Sequence, residues 1–262
     1  MTTQEWHQLV KPVLPHILSD KDFPWLDVVR IEVGRSALYA VATDRHTLAV
    51  ERRKLEDGAP HESAGQAVHL DASEVAASLK LFTHTKDEDP QLTVIIDTAS
   101  IPISIVGGPG SVDHLAVTVQ EAGGGTRLML HDVRDPSRDP LAGWRTSIRS
   151  ALARPVADKV DGLDLHASMM SRWAAAARKG ERLTMYTGPK AGDPLLVIVE
   201  KHFAGLWVVP RYLDGPGEVL ADLPWQDELD LAAADIETAP VDLATGERAD
   251  GGEAPGGQGA LY

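Results

Sequence analysis

The chain has 262 residues, enough for two domains of ordinary size, and no cysteine, which excludes disulfide scaffolds, thiolate metal sites and a cysteine nucleophile. Its formal charge of −14 argues against a nucleic-acid partner only if it is spread evenly. Residues 214–262 carry 12 acidic side chains and one basic, while residues 134–182 hold ten Lys and Arg against six Asp and Glu, so the acidity belongs to the tail.

Along the chain, Trp6, Leu9, Val10, Val13 and Ile17 follow a helical period, but Pro12 and Pro15 remove amide donors and predict a short or kinked helix. Val28–Val33, Ala37–Ala42 and Thr47–Arg53 are β-rich runs parted by turn residues and read as antiparallel strands. Asp71-Ala-Ser-Glu74 has the form of a helix N-cap, and Val75, Leu79 and Phe82 form an apolar stripe behind it. Leu92–Asp97, Ile101–Val106 and Leu115–Val119 are further strands, with Gly107–Gly110 as a turn, closing one α+β domain over 1–122.

Gly123-Gly-Gly125 suggests a flexible joint to a second domain, 123–213. There Thr126–His131 reads as a strand and Pro140–Arg154 as a helix, its apolar face made of Leu141, Trp144, Ile148 and Leu152, with Arg145 and Arg149 on a flanking polar face. A second helix over Ala167–Lys179 turns Met170, Trp173, Ala174 and Ala177 inward and leaves Arg172, Arg178 and Lys179 outside. Leu183–Thr187, Leu195–Val199 and Leu206–Val209 are the closing strands. From Asp214 to the end, apolar residues are too sparse to cover a core, so 214–262 reads as a disordered acidic tail, interrupted by Leu220–Leu231.

The run Val41-Ala-Thr-Asp-Arg-His-Thr-Leu-Ala-Val50, together with Pro194–Val199 and Gly205–Leu213, resembles the bacterial DNA sliding clamp, the β subunit of DNA polymerase III. The likeness covers about residues 5–213 and is to the family's middle and final domains. It implies a DNA-clamp-like α+β fold, two domains of antiparallel sheets with paired helices. A six-domain ring would need three copies, a homo-oligomer. The second domain is short, because Arg154 to Gly162 leaves no space for the strands that normally part its helices. At the turn the family usually has Gly before the His and Arg after it; here Arg45 and Thr47 stand there.

A clamp does no covalent chemistry and needs no cofactor; it encircles duplex DNA without sequence preference, through weak phosphate contacts that allow sliding. The resemblance therefore implies DNA-facing roles for Lys11, Lys80, Lys86, Arg145, Arg149, Arg172, Arg178 and Lys179. By position in the family, Thr43, Arg45, His46, Thr47 and Leu48 would meet Leu141, Val208, Val209 and Pro210 in a pocket for an extended peptide of a polymerase or repair protein. As a plain turn residue, Asp44 would accept backbone amides and close the hairpin. Gln226, Leu229 and Leu231 form a Gln-x-x-Leu-x-Leu pattern like the peptides that clamp partners insert, which would make the tail a docking segment.

The alternative is a clamp-fold protein that closes no ring and acts as an interaction adaptor or clamp regulator. His61, His69 and Asp71, or Asp44 with His46, lack the spacing of a metal helix or finger, and no serine sits in a nucleophile elbow. The reading is of a non-enzymatic, cytoplasmic processivity factor without membrane contact, loaded by a clamp loader if one is needed.

Overall fold

The computed structural model describes residues 1–55, 64–105, 108–133, 139–155, 165, 167–190 and 193–208, without the side chains of 99–105 and 108–113. The predicted acidic tail, with Gln226, Leu229 and Leu231, lies outside the described residues, as do Val209 and Pro210.

The first helix, α1 (Thr3–Val10), opens with a capping box in which Thr2 and Glu5 satisfy each other's backbone amides. It stops at Lys11, and a 3₁₀ turn over Leu14–His16 follows, as the two prolines require. Three strands then run antiparallel, β1 (Val28–Val33), β2 (Ala37–Thr43) and β3 (Thr47–Lys54). β4 (Ala67–Asp71) pairs with β1 and leads into α2 (Ala72–Leu81), whose cap Asp71 accepts from the amides of Ser73 and Glu74. Such a cap contributes about 1 kcal/mol.

Two runs expected as separate strands are one, β5 (Leu92–Ile105), paired along its length with β6 (Gly108–Glu121). Gly123 and Gly124, at φ +103° and +85°, form the turn to β7 (Arg127–His131), which pairs with β6. The glycine run is therefore a hairpin turn and not a joint. β7 completes a three-stranded sheet with strands of the first segment, where the sequence had placed it at the start of a second domain.

Beyond it lie α3 (Trp144–Leu152), α4 (Ala167–Ala174), β8 (Leu183–Tyr186), β9 (Leu195–Val199) and β10 (Phe203–Trp207). β10 pairs with β3, so strands from both halves of the chain make one seven-stranded sheet in the order β4-β1-β2-β3-β10-β9-β8. This seam is tight. A side chain at Gly205 would meet Trp173 Cζ3 at 2.3 Å and the Leu48 carbonyl at 2.8 Å, so the bare backbone of β10 is what lets α4 pack on it.

Alternation along the strands gives this sheet two buried faces. One packs on α1, α2, α4 and the three-stranded sheet through Trp6, Leu9, Val75, Phe82, Trp173 and Phe203. The other is covered by α3, whose Trp144, Ile148 and Ala151, with Leu141 just before them, lie on Tyr39, Val41, Leu48, Leu196 and Leu206. Each large side chain so buried contributes roughly 1.5–3 kcal/mol. The helices α3 and α4 thus sit on opposite sides of the sheet. Among the described residues no helix is long and apolar enough to cross a membrane.

Candidate functional site

The turn between β2 and β3 is organised by Asp44, which is only 4% exposed. Its Oδ1 accepts from the amides of His46 (3.0 Å) and Thr47 (2.7 Å) and from the Thr47 hydroxyl (2.7 Å), while Oδ2 pairs with Arg172. Asp44 therefore closes the hairpin as expected of a turn residue. Because the Thr47 proton goes to Asp44, its oxygen accepts from His16 Nδ1–H at 2.9 Å, which fixes the His16 tautomer. Burial keeps that imidazole neutral, its pKa lowered to about 3. At the tip, Arg45 has φ +78°, a left-handed conformation that glycine adopts without strain, and its guanidinium lies 4.2 Å over the Phe23 ring.

Of the nine residues expected to line a peptide pocket, the seven that are described are divided by the sheet. Thr47 is buried on the side of Arg172 and His16; Thr43, which stands opposite Leu48 across the hairpin, is buried with Leu48 and Leu141 on the other side, beneath α3. Arg45 and His46 are at the tip, with His46 exposed, and the Val208 amide donates to the His46 carbonyl at 2.8 Å.

The eight expected DNA-facing cations also separate. Lys11, Lys80, Lys86 and Lys179 are exposed, at the ends of α1 and α2 or in the loops that follow α2 and α4. Arg145 corrects the expectation: it is 8% exposed, pairs with Glu32 at 2.5 Å and stacks over Trp144 and Tyr39 at 4.2 and 4.8 Å. Arg172 and Arg178 are directed at buried carboxylates, Asp44 and Glu51, the latter at 3.2 Å. Arg149 is half-buried on α3, across the sheet from α1, α2 and α4.

Sequence reasoning passed over the acids that draw these arginines in. Glu32 on β1 accepts from Arg30 (3.0 Å), Arg145 and the Trp144 indole (3.0 Å). Arg30 continues to Asp139 at 2.6 Å, which also accepts from His69 at 3.0 Å. Against the cost of burial, that hydrogen bond and the Arg30 charge hold Asp139 well below the usual carboxylate range. Glu51 on β3 is fully buried and meets His202 Nδ1 at 3.0 Å, whose Nε2 reaches Glu181 at 3.0 Å. Burial pushes Glu51 up to about 7, and His202 is raised, against its own burial, by the hydrogen bond to Glu51. The available signal was a single acid inside an apolar strand, in Val28-Val-Arg-Ile-Glu-Val33 and Thr47-Leu-Ala-Val-Glu51.

Strand order and helix placement define an α+β fold of the DNA-clamp type. Solved structures that share it include the following two. One is the DNA polymerase sliding clamp from Bacillus subtilis, with TM-score 0.50, 15% identity, and 81% of this chain and 64% of that one covered. The other, from Eubacterium rectale, is assigned as a DNA polymerase III β subunit, with TM-score 0.52, 10% identity, and coverage of 80% and 64%. The chain spans about 64% of the length of either. No protein-family model and no curated protein matches it.

Proposed function

We propose that this protein is a sliding-clamp-like processivity factor: it encircles duplex DNA, without sequence preference or covalent chemistry, and tethers a polymerase or repair protein in the cytoplasm. The clamp-type fold carries this reading, with the β3–β10 pairing that makes one sheet from both halves of the chain. Two clamp-like units per chain call for a trimer to give six units, assembled with a loader if the ring does not open unaided. On this reading the bore is lined from the face of α1, α2 and α4, with Lys11, Lys80, Lys86 and Lys179 as the loose phosphate contacts. The partner peptide reads the tip of the Asp44 turn, where Arg45, His46 and Val208 remain accessible.

A second reading, an adaptor of clamp fold that closes no ring, is favoured by the commitment of Arg145, Arg172 and Arg178 to buried carboxylates. One experiment separates the two. A ring is retained on circular DNA, in the presence of a loader if required, is released on linearisation, and has a trimer's mass in solution. An adaptor is monomeric and is lost from circular and linear DNA alike.

A further inference from the structure

The three-stranded sheet has one face on the core, through Val94, Ile96, Val117, Val119, Leu128 and Leu130, and one face away from it, where Ile95 and Met129 are 46% and 37% exposed. Period-two alternation puts Asp97 of β5, His114 of β6 and His131 of β7 on that outer face. The register brings them together: Asp97 and His131 both stand opposite Ala116, and His114 is two residues before it on the central strand. Asp97 and His131 flank Ala116 from the two outer strands, and each is a diagonal neighbour of His114, a spacing within reach of an imidazole. Ala116, in the middle of the three, is 4% exposed on a face that is otherwise open. The two imidazoles are already in contact, His114 Nε2 to His131 Nδ1 at 2.7 Å with ring centroids 4.9 Å apart.

We propose that Asp97, His114 and His131 form a binding site for a borderline divalent transition ion of the Zn²⁺ class. Imidazole nitrogens with one carboxylate select such ions over Mg²⁺ or Ca²⁺, which take oxygen ligands. With Zn–N bonds of roughly 2.0–2.1 Å and tetrahedral angles, the two nitrogens stand about 3.4 Å apart, so the pair widens by roughly 0.7 Å to admit the ion. Among the described residues no three such side chains are preassembled around one point. The missing member is Asp97, whose Oδ1 accepts from the next amide, Thr98 N, at 2.7 Å and turns toward the imidazoles by rotation about χ1. The bound ion ties all three strands of the sheet, with water completing its shell. The three residues are separated by 17 positions each way, a spacing that matches no metal helix or finger, so only the strand register reveals them.

The test is titration of the full chain with ZnCl₂, read by calorimetry and by imidazole NMR. The expected result is one saturable equivalent that shifts the resonances of His114 and His131 out of the ten histidines, with that equivalent lost in His114→Gln and in His131→Gln and held more weakly in Asp97→Asn. No saturable equivalent, an equivalent that survives both histidine substitutions, or perturbation of other imidazoles in place of these two would overturn the site. The NMR arm uses the unsubstituted chain, so a variant that fails to fold does not remove the test.

Discussion

Glu32 and Glu51 are buried acids on the same seven-stranded sheet, pointing to opposite faces, and they differ in the kind of partner that holds them. Glu32, toward α3, is held by two guanidiniums and an indole N–H, donors whose charge state does not change in the physiological range. Glu51, toward α4, is shared between Arg178 and an imidazole. The donors to Glu32 therefore keep a fixed charge, whereas the hold on Glu51 depends on where one proton resides. Both acids recruit arginines that a helical wheel assigns to solvent. A polar stripe on a helix is outward only if no strand offers it a carboxylate.

The largest expected effect tests the α3 side. Glu32→Ala leaves the buried Arg145 without its anion and Arg30 with Asp139 alone, and costs roughly 3–5 kcal/mol in denaturant unfolding. A loss below about 1 kcal/mol, near the floor for a hydrogen-bonded pair, would mean that the apolar stripe of α3 holds that face alone.

A smaller effect, and one with a pH signature, belongs to the α4 side. The folded pKa of Glu51 is raised to about 7 from 4.5, and that of His202 is raised from 6.5, so the folded pair retains protons that the unfolded chain releases. Their stabilisation is complete below pH 4.5 and is lost as pH rises through about 7. His16 runs the other way, its contribution present above pH 6.5 and lost as pH falls toward 3. Thermal unfolding between pH 6.5 and 8, above the range in which His16 opposes it, should show the wild-type decline, and Glu51→Gln should flatten it. An equal decline in both proteins would place the titrating group elsewhere.

Smallest is the effect at the turn joining the two strands nearest the seam. Arg45→Ala keeps the left-handed backbone and loses the stacking on Phe23, a cost of about 0.5–1 kcal/mol. Arg45→Gly loses the same contact but relieves roughly 1–2 kcal/mol of backbone strain, so it should equal or exceed the wild type in urea. If both variants fall together, φ at residue 45 is not what limits the turn.

Much of the fold was legible because its signals are local. Alternation in Val28–Arg53 marked β1 to β3, and the Asp71 cap marked α2. What escaped depends on partners far along the chain. Nothing near Arg145 or Arg178 in sequence announces Glu32 or Glu51, more than one hundred residues away in each case. Gly123 and Gly124 read as a joint because a hairpin turn and a linker use the same residues for the same conformational freedom. The turn at Asp44 was legible as a turn, but the split of its neighbours across two faces of the sheet required knowing that α3 covers one of them.

The pairing of β3 with β10 sets an order of events. The two strands lie about 150 positions apart, so the middle of the large sheet is joined by some of the most distant contacts in the chain. Until β10 arrives, the edge of β3 presents unpaired amides and carbonyls over Thr47–Glu51. Closing so wide a loop is slow relative to forming the β1–β2–β3 meander. During synthesis that edge waits for β10, and this is the interval in which the protein is most open to pairing with another copy of itself.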